Sequence, residues 1–364
     1  MLSSLSPRLA PRILPRTRFL RPSPLSFLAA AQRSAKMSTR VPLIFGTMTM
    51  GEQGKNGVRT SDLGECQEII DVLFKHGHRE LDTARMYAEG TTEPVRVLCL
   101  QHPDSLPLIA PASLAPGQVE VSERCHGRHQ TSLKLLSPLK SRVLYLHAPD
   151  RSVPFEETLH EVNELYKQGL FQIFGLSNYA SWEVAEIVNI CKAKGYIQPK
   201  IYQAITAHRM YNAVTRDMEA ELVPCCRKFG LRIVVYNPLA GGFFAGKVAA
   251  PDTDAPKGGR FDPNSKMGAM YRARYLKGGY FEALNYLKPI AEKHNLRLTE
   301  IALRWCQHHS VLTPTDGVIL GASSAAQLEQ NCADSEKGPL PEEIIKALDQ
   351  ARLIVGAEAP PYWR

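Results

Sequence analysis

Asp82 and Tyr87 stand close together in Glu80-Leu-Asp-Thr-Ala-Arg-Met-Tyr-Ala-Glu-Gly90, where a short apolar, β-leaning run ends in a carboxylate and a loop then presents a phenol. A carboxylate at the C-terminal end of a strand, with a polar loop after it, is where an α/β barrel keeps its chemistry. Tyrosine, with a pKa of about 10, is a poor acid in water. It becomes a useful proton donor only when a neighbouring cation stabilises the phenolate. The pair therefore asks for a cation and for a group to receive the proton. The plainer reading is a capping aspartate and a packed loop tyrosine, and these eleven residues alone leave both open.

The surrounding pattern shows what would hold such a pair in place. Val41-Pro-Leu-Ile-Phe-Gly46 predicts a buried strand, and an apolar stripe predicts a helix over 62–76 that stops at Gly77. From Arg142 the chain alternates: strands at 142–148, 171–176, 200–203, 231–236 and 317–321, with helices at 155–168, 181–194 and 216–229. Helices are also expected over 280–294, 299–309, 324–333 and 341–355. Strands alternating with Gly-stopped helices mean a parallel sheet. About eight such units, with no sign of a second domain, favour an α/β (β/α)8 TIM barrel over residues 41–364. No Gly-x-Gly-x-x-Gly follows the first strand, which disfavours a Rossmann sheet.

Strand ends of such a barrel should line one rim. They are Asp82 with Tyr87, His147, Ser177-Asn178, Gln203, Asn237 to Gly242, and Gly321 to Ser324. Each has a dull reading: His147 as a satisfied core imidazole, Ser177-Asn178 as a helix cap. Their joint placement is the informative part.

Leu81-Asp-Thr-Ala-Arg-Met-Tyr87, Tyr145-Leu-His147, Gly175-Leu-Ser-Asn178, Tyr236-Asn-Pro-Leu-Ala240 and the closing Gly321 to Asn331 resemble the aldo-keto reductases. Ser177 to Glu186, Asn237 to Gly242 and Pro361-Tyr-Trp-Arg364 are most similar to the aflatoxin-aldehyde and succinic-semialdehyde reductase branch. The likeness covers residues 41–98 and 131–364. It implies NADPH-dependent reduction of aldehydes and dicarbonyls, some carrying a carboxylate. By position, Tyr87 is the general acid, Asp82 the carboxylate that pairs with a lysine, and His147 the carbonyl-orienting histidine. Ser177, Asn178 and Gln203 match the residues that hold the nicotinamide carboxamide, and Tyr236 the one that stacks on that ring. Asn237, Pro238, Leu239, Ala240, Gly241, Gly242 and Lys247 match the loop over the pyrophosphate. Arg260, Gly321, Ser323, Ser324, Gln327, Gln330 and Asn331 fall on the cofactor, those from Ser323 onward at its adenosine end. Tyr271, Arg274 and Arg364 join Tyr87 and His147 on the substrate, Arg364 as the fork for a carboxylate.

The chain departs from this pattern twice. The family's fourth catalytic residue, a lysine ending the third strand, should fall near residue 115, yet no lysine occurs between Lys75 and Lys134. Residues 94–130 have the expected length and unrelated content, so the third β/α unit is expected to be degenerate. A frame-shifted or mis-spliced segment, a degenerate paralogue and a new function all fit. Cys99, His102, Cys125, His126 and His129 are zinc-compatible types, but their order matches no common zinc motif, and no metal is assigned. Without the cation, Tyr87 is expected to keep a near-solution pKa and Asp82 to be uncompensated. Second, six residues separate Gln203 from Met210-Tyr-Asn212, where the resemblance has one, and they would sit at the mouth of the nicotinamide pocket. A catalytically weak barrel that binds nucleotide as a regulatory subunit is thus the competing expectation.

Charge and composition exclude other classes. The chain has a net charge of +8, but residues 1–40 hold seven Arg, Lys36 and no acid, which accounts for the whole excess. The rest is formally neutral, so nothing points to a nucleic-acid partner. No apolar run of about 18 residues occurs, so no membrane partner is expected. The Arg- and Ser-rich leader has the composition of a mitochondrial transit peptide, and Met37 could also serve as a start. Mitochondrial and cytoplasmic locations both stay open, as does a homodimer. The eight scattered Cys form no CxxC pair and read as reduced thiols.

Overall fold

The computed structural model describes residues 38–94, 141–204, 210–246, 248 and 259–359. By its internal contacts the chain divides into Met1–Lys36 and Met37–Arg364, and every described residue belongs to the second unit. The strands are β1 Leu43–Gly46, β2 Glu80–Asp82, β3 Val143–Leu146, β4 Ile173–Ser177, β5 Pro199–Ala204, β6 Arg232–Tyr236 and β7 Gly317–Leu320. The helices are α1 Leu63–Lys75, α2 Phe155–Lys167, α3 Ser181–Lys194, α4 Leu222–Lys228, α5 Lys266–Tyr275, α6 Gly278–Lys293, α7 Leu298–His308, α8 Ala325–Glu336 and α9 Glu342–Val355.

All pairings are parallel, in the order β2-β1-β7-β6-β5-β4-β3. The sheet curls into an α/β (β/α)8 barrel-like fold, as side chains meeting across its concave face show. Ile44, Val143, Tyr145, Ile201, Val234 and Ile319, drawn from five strands, form one buried cluster. They occupy alternate positions, as the two-residue period of a strand requires. The intervening residues, such as Phe45, Leu144, Phe174, Tyr202, Ile233 and Val318, point outward into the larger core shared with the helices. Burying each such side chain stabilises by roughly 1.5–3 kcal/mol. β2 and β3 end the strand order. The chain between them includes residues 95–140, outside the described residues, and so does the expected degenerate third unit from 95 onward.

An ion pair ties the lower end of the barrel. Arg232 in β6 donates from both Nη atoms to Glu80 in β2, at 3.0 and 2.9 Å. Its fork geometry suits the carboxylate, and it joins strands three places apart in the order. A Cβ on Gly317 would lie 2.8 Å from Ile44 Cδ1 and 3.0 Å from Arg232 Nη2, so this corner has no room for a side chain.

Three local features differ from the sequence reading. Instead of one helix over 216–229, a 3-10 turn at Asp217–Glu219 precedes α4. Pro224 explains the break, because deep in a longer helix its ring would meet the carbonyl one turn back, whereas it fits the first turn of α4. Helix α5 lies in a stretch read as loop. Its sequence has no apolar stripe for periodicity to find, and Ser265 caps it by accepting from Gly268 N at 2.8 Å. Finally, Ser38 and Arg40, assigned to the leader, bind the barrel: Arg40 donates to the carbonyls of Gln307 and Leu312 at 2.6 and 2.9 Å, and Ser38 to Glu336.

Gly175 sets a packing limit inside the barrel, since a Cβ there would lie 2.5 Å from the Tyr145 ring. Tyr145 is buried in the interior cluster and cannot yield without moving its neighbours. Gly175→Ala is therefore expected to destabilise by about 1–3 kcal/mol. A lower urea midpoint with an unchanged slope would show it.

Candidate active site

The upper rim begins at the end of β2. Asp82 is 3% exposed and points into the barrel. Tyr87 follows on the turn Tyr87–Gly90, where Ala88 and Glu89 adopt left-handed φ values of 47° and 56°. Such a conformation is costly away from glycine and persists only where neighbours enforce it. Here Arg85 Nη1 donates to Gly90 O at 2.8 Å, and Thr91 Oγ1 to Ala88 O at 2.9 Å. Thr92 Oγ1 ties the same segment to Met50 O at 2.7 Å.

Tyr87 OH donates to Asp82 Oδ2 at 3.4 Å, a long bond, and Gln203 Nε2 donates to Asp82 Oδ1 at 2.8 Å. Gln203 lies next to the last residue of β5 and is 2% exposed, so this bond spans the barrel mouth. Two sequence expectations are corrected at this point. Asp82 is not left uncompensated, because an amide and a phenol both donate to it. Nor does Tyr87 keep a solution pKa: burial, then the Asp82 carboxylate and the nearby phenols, raise it well above 10.

His147 follows β3 and faces the same space, with burial lowering its pKa to about 4. It is a neutral imidazole at ordinary pH and keeps one N–H to donate. Its carbonyl accepts from Asn178 Nδ2, which also donates to Ser177 Oγ at 2.8 Å. Asn178 holds a left-handed φ of 69° between β4 and α3, and the cap of α3 is Ala180. Ser177 and Asn178 thus brace the rim rather than cap the helix.

After β6, Asn237 repeats the device at φ 68° and donates to Tyr275 OH at 2.8 Å. Ala240, Gly241 and Gly242 continue in left-handed conformations. A Cβ on Gly241 would lie 2.4 Å from the Tyr271 ring, so only glycine admits that aromatic. Tyr271 is 2% exposed and flanked by two guanidiniums, Arg260 at 5.4 Å and Arg274 at 4.9 Å from its ring centre. Arg260 Nη1 also donates to its hydroxyl at 2.7 Å. Arg274, 5% exposed, has the Tyr236 hydroxyl at 3.5 Å and the Met270 sulfur at 2.8 Å as partners, and its Nε has none among the described residues.

These groups border one cavity of about 690 Å³, within the usual range for small-molecule and cofactor sites. Asp82, Tyr87, His147 and Tyr236 line one part of it, Asn237 to Leu239 with Gly241 and Gly242 the wall, and Arg260, Gly321, Ser323 and Gln327 another part. Tyr271 and Arg274 also face it. Ser177, Asn178, Gln203, Ala240, Ser324, Gln330 and Asn331 are not on its lining. Ser324 instead caps α8 by accepting from Gln327 N at 3.2 Å. Lys247, Arg364 and the five zinc-compatible residues at 99–129 lie outside the described residues, and no metal-binding cluster occurs among the described ones.

The sequence reading overlooked the end of β1. Thr47 Oγ1 donates to Asp82 O at 2.8 Å, Thr49 Oγ1 to Ala322 O at 2.9 Å, and Arg59 lines the cavity. The strand-end rule that found Asp82 and His147 applies equally after Gly46 and would have found them.

A parallel barrel with a phenol, a carboxylate and a neutral imidazole beside a nucleotide-sized, arginine-lined cavity defines a class of oxidoreductase. Residues 42–353 match the Aldo/keto reductase family, and the chain belongs to it. It is 42% identical over 336 residues to aflatoxin B1 aldehyde reductase member 2 of Mus musculus, covering 89% of this chain and 88% of that one. The Homo sapiens protein of the same name is also 42% identical, over 89% of this chain and 90% of its own. An aldo-keto reductase of Pseudocercospora fijiensis is 39% identical, over 81% of this chain and all of its own. Family membership makes the chain an oxidoreductase of the kind that uses NAD(P)H and reduces aldehydes.

His147 and His78 both have pKa values lowered to about 4 by burial. An unfolded histidine binds a proton near pH 6.5, so the unfolded state takes up more protons in the window between those values. Stability should fall as pH drops from about 6.5 toward 4. His147→Gln should show a smaller fall in urea midpoint across that window.

Proposed function

We propose that the chain is an NADPH-dependent reductase of aldehydes, including dicarbonyls and aldehydes that carry a carboxylate. The observation that carries this reading is the Asp82–Tyr87 pair beside neutral His147 in a cavity that extends to Arg260. One atom supports the fit of an anionic ligand: Nε of buried Arg274, which lines the cavity and has no hydrogen-bond partner among the described residues. When bound, a nicotinamide cofactor would supply a hydride for the carbonyl carbon. Negative charge then develops on the carbonyl oxygen, where donors aimed from Tyr87 and His147 stabilise it, and Tyr87 delivers the proton. Arg274 offers a cation for a substrate carboxylate.

The state of Tyr87 supports the second reading as well, a nucleotide-binding barrel with slow chemistry. A phenol raised by burial and by a carboxylate is a reluctant donor, and positioned acid catalysis is worth about 10²–10⁴ in rate. Turnover is therefore expected to lie below that of a reductase with a lysine beside the phenol by a factor in that range. Because the phenol stays protonated, its ionisation should not reduce kcat anywhere from pH 7 to 10. Tyr87→Phe should remove most of the remaining aldehyde-dependent NADPH oxidation without weakening NADPH binding. NADPH binding with no aldehyde-dependent oxidation in the parent chain would leave the second reading; rapid turnover that survives Tyr87→Phe would exclude Tyr87 as the acid.

A further inference from the structure

Gln203 is almost wholly buried yet absent from the cavity lining, so any part it plays in the chemistry runs through a neighbour. Its place is fixed on both sides, because its register partners are Ser177 in β4 and Val234 in β6. From there Nε2 donates to Asp82 Oδ1 at 2.8 Å, while Oε1 has no hydrogen-bond partner among the described residues. An ionised carboxylate only accepts, so the amide must present its N–H side to Asp82. The Asp82 main chain is held as well, its carbonyl accepting from Thr47 Oγ1 at 2.8 Å. Asp82 and Tyr87, unlike Gln203, both line the cavity.

The two side-chain bonds to Asp82 are unequal. The amide comes to 2.8 Å and the Tyr87 hydroxyl only to 3.4 Å. A carboxylate that closed on the phenol would hold its proton in a strong charge-assisted bond. One tied to Gln203 through its other oxygen cannot turn freely toward Tyr87, and the amide dipole offsets part of its charge. That charge matters once the proton moves. Transfer from Tyr87 to the carbonyl oxygen of a substrate leaves a phenolate beside a carboxylate, and burial, Asp82, Tyr236 and Tyr271 all disfavour that phenolate.

We propose that Gln203 is a positioning residue for proton transfer: its amide holds Asp82 Oδ1 and thereby keeps the Tyr87 proton available to the substrate. This rests on the reductase reading above. The same placement makes position 203 a point from which a cation would reach Asp82, since a lysine stem extends one bond beyond the glutamine amide nitrogen. A cation there lowers the cost of the phenolate.

The test compares the parent chain with Gln203→Met, which keeps the length and removes the donor, and with Gln203→Lys. Gln203→Met should lower kcat about tenfold, the low end for a hydrogen bond to a charged group. Aldehyde KM and NADPH affinity should not change, and the loss should disappear in an Asp82→Asn background. Gln203→Lys should raise kcat about tenfold, a fraction of what positioned acid catalysis is worth. Ultraviolet titration of this variant should show one further tyrosine ionising below about pH 10, and adding Tyr87→Phe should abolish that step. Unchanged kcat in Gln203→Met would overturn the proposal, as would an equal loss in the Asp82→Asn background, which marks a structural role. A folded Gln203→Lys with lower kcat and no new phenolate would overturn it too. If either variant does not fold, the other decides alone. A parent chain that oxidises no NADPH with aldehyde fails the reductase reading instead, and the phenolate titration, which needs no turnover, still tests the coupling of position 203 to Tyr87.

Discussion

A carboxylate that is almost wholly out of water must be hydrogen-bonded, and much of the rim is arranged around that demand at Asp82. Its Oδ1 takes the amide of Gln203 and its Oδ2 the hydroxyl of Tyr87. The first bond reaches from β5, so that donor arrives only if the sheet curls, whereas the second comes from the turn that follows β2 itself. Breaking either would leave a buried acceptor short of a partner, at a cost of about 1–3 kcal/mol or more. The geometry also affects the chemistry. A phenol that donates to a carboxylate in a dry setting holds its proton more tightly, opposite to what a general acid needs.

A second theme is cation placement against aromatic faces. Arg260 and Arg274 flank Tyr271, and Arg274 reaches the Tyr236 hydroxyl, so two charges sit against one ring with no carboxylate paired to them among the described residues. Ring quadrupoles and phenol oxygens partly replace lost hydration. Gly241 makes the arrangement feasible by leaving the space Tyr271 occupies. Placing guanidinium charge beside a cavity favours anionic ligands there.

The fold was legible where local and global signals agree. The strands read from the sequence contain Ile44, Val143, Ile201 and Val234, and the structure brings those residues into one cluster. Glycines stopped the helices, as at Gly195, which takes a left-handed φ of 69° after α3. Legibility failed where the pattern carried no period. Helix α5 has no apolar stripe, and the aromatic packing of Tyr271 and Tyr275, not amphipathicity, secures it against Phe243 and Phe261. The break before α4 was readable in principle from Pro224. Of the candidate site, the strand-end residues were found because they obey a positional rule. Arg59 was missed because that rule was not applied after β1.

The amino-acid order by itself determined the alternation of strands and helices, the set of polar residues that end the strands, and the absence of a lysine between Lys75 and Lys134. Those are properties of neighbours along the chain, and local sterics and side-chain period suffice to set them. Only the tertiary structure decided that Gln203 bonds to Asp82, that burial raises Tyr87 and lowers His147, and that Arg59 and Arg260 line one cavity. Each joins residues tens to hundreds of positions apart. Hydrogen bonding, desolvation and charge repulsion depend on distance in space, and that distance exists only once the barrel has curled.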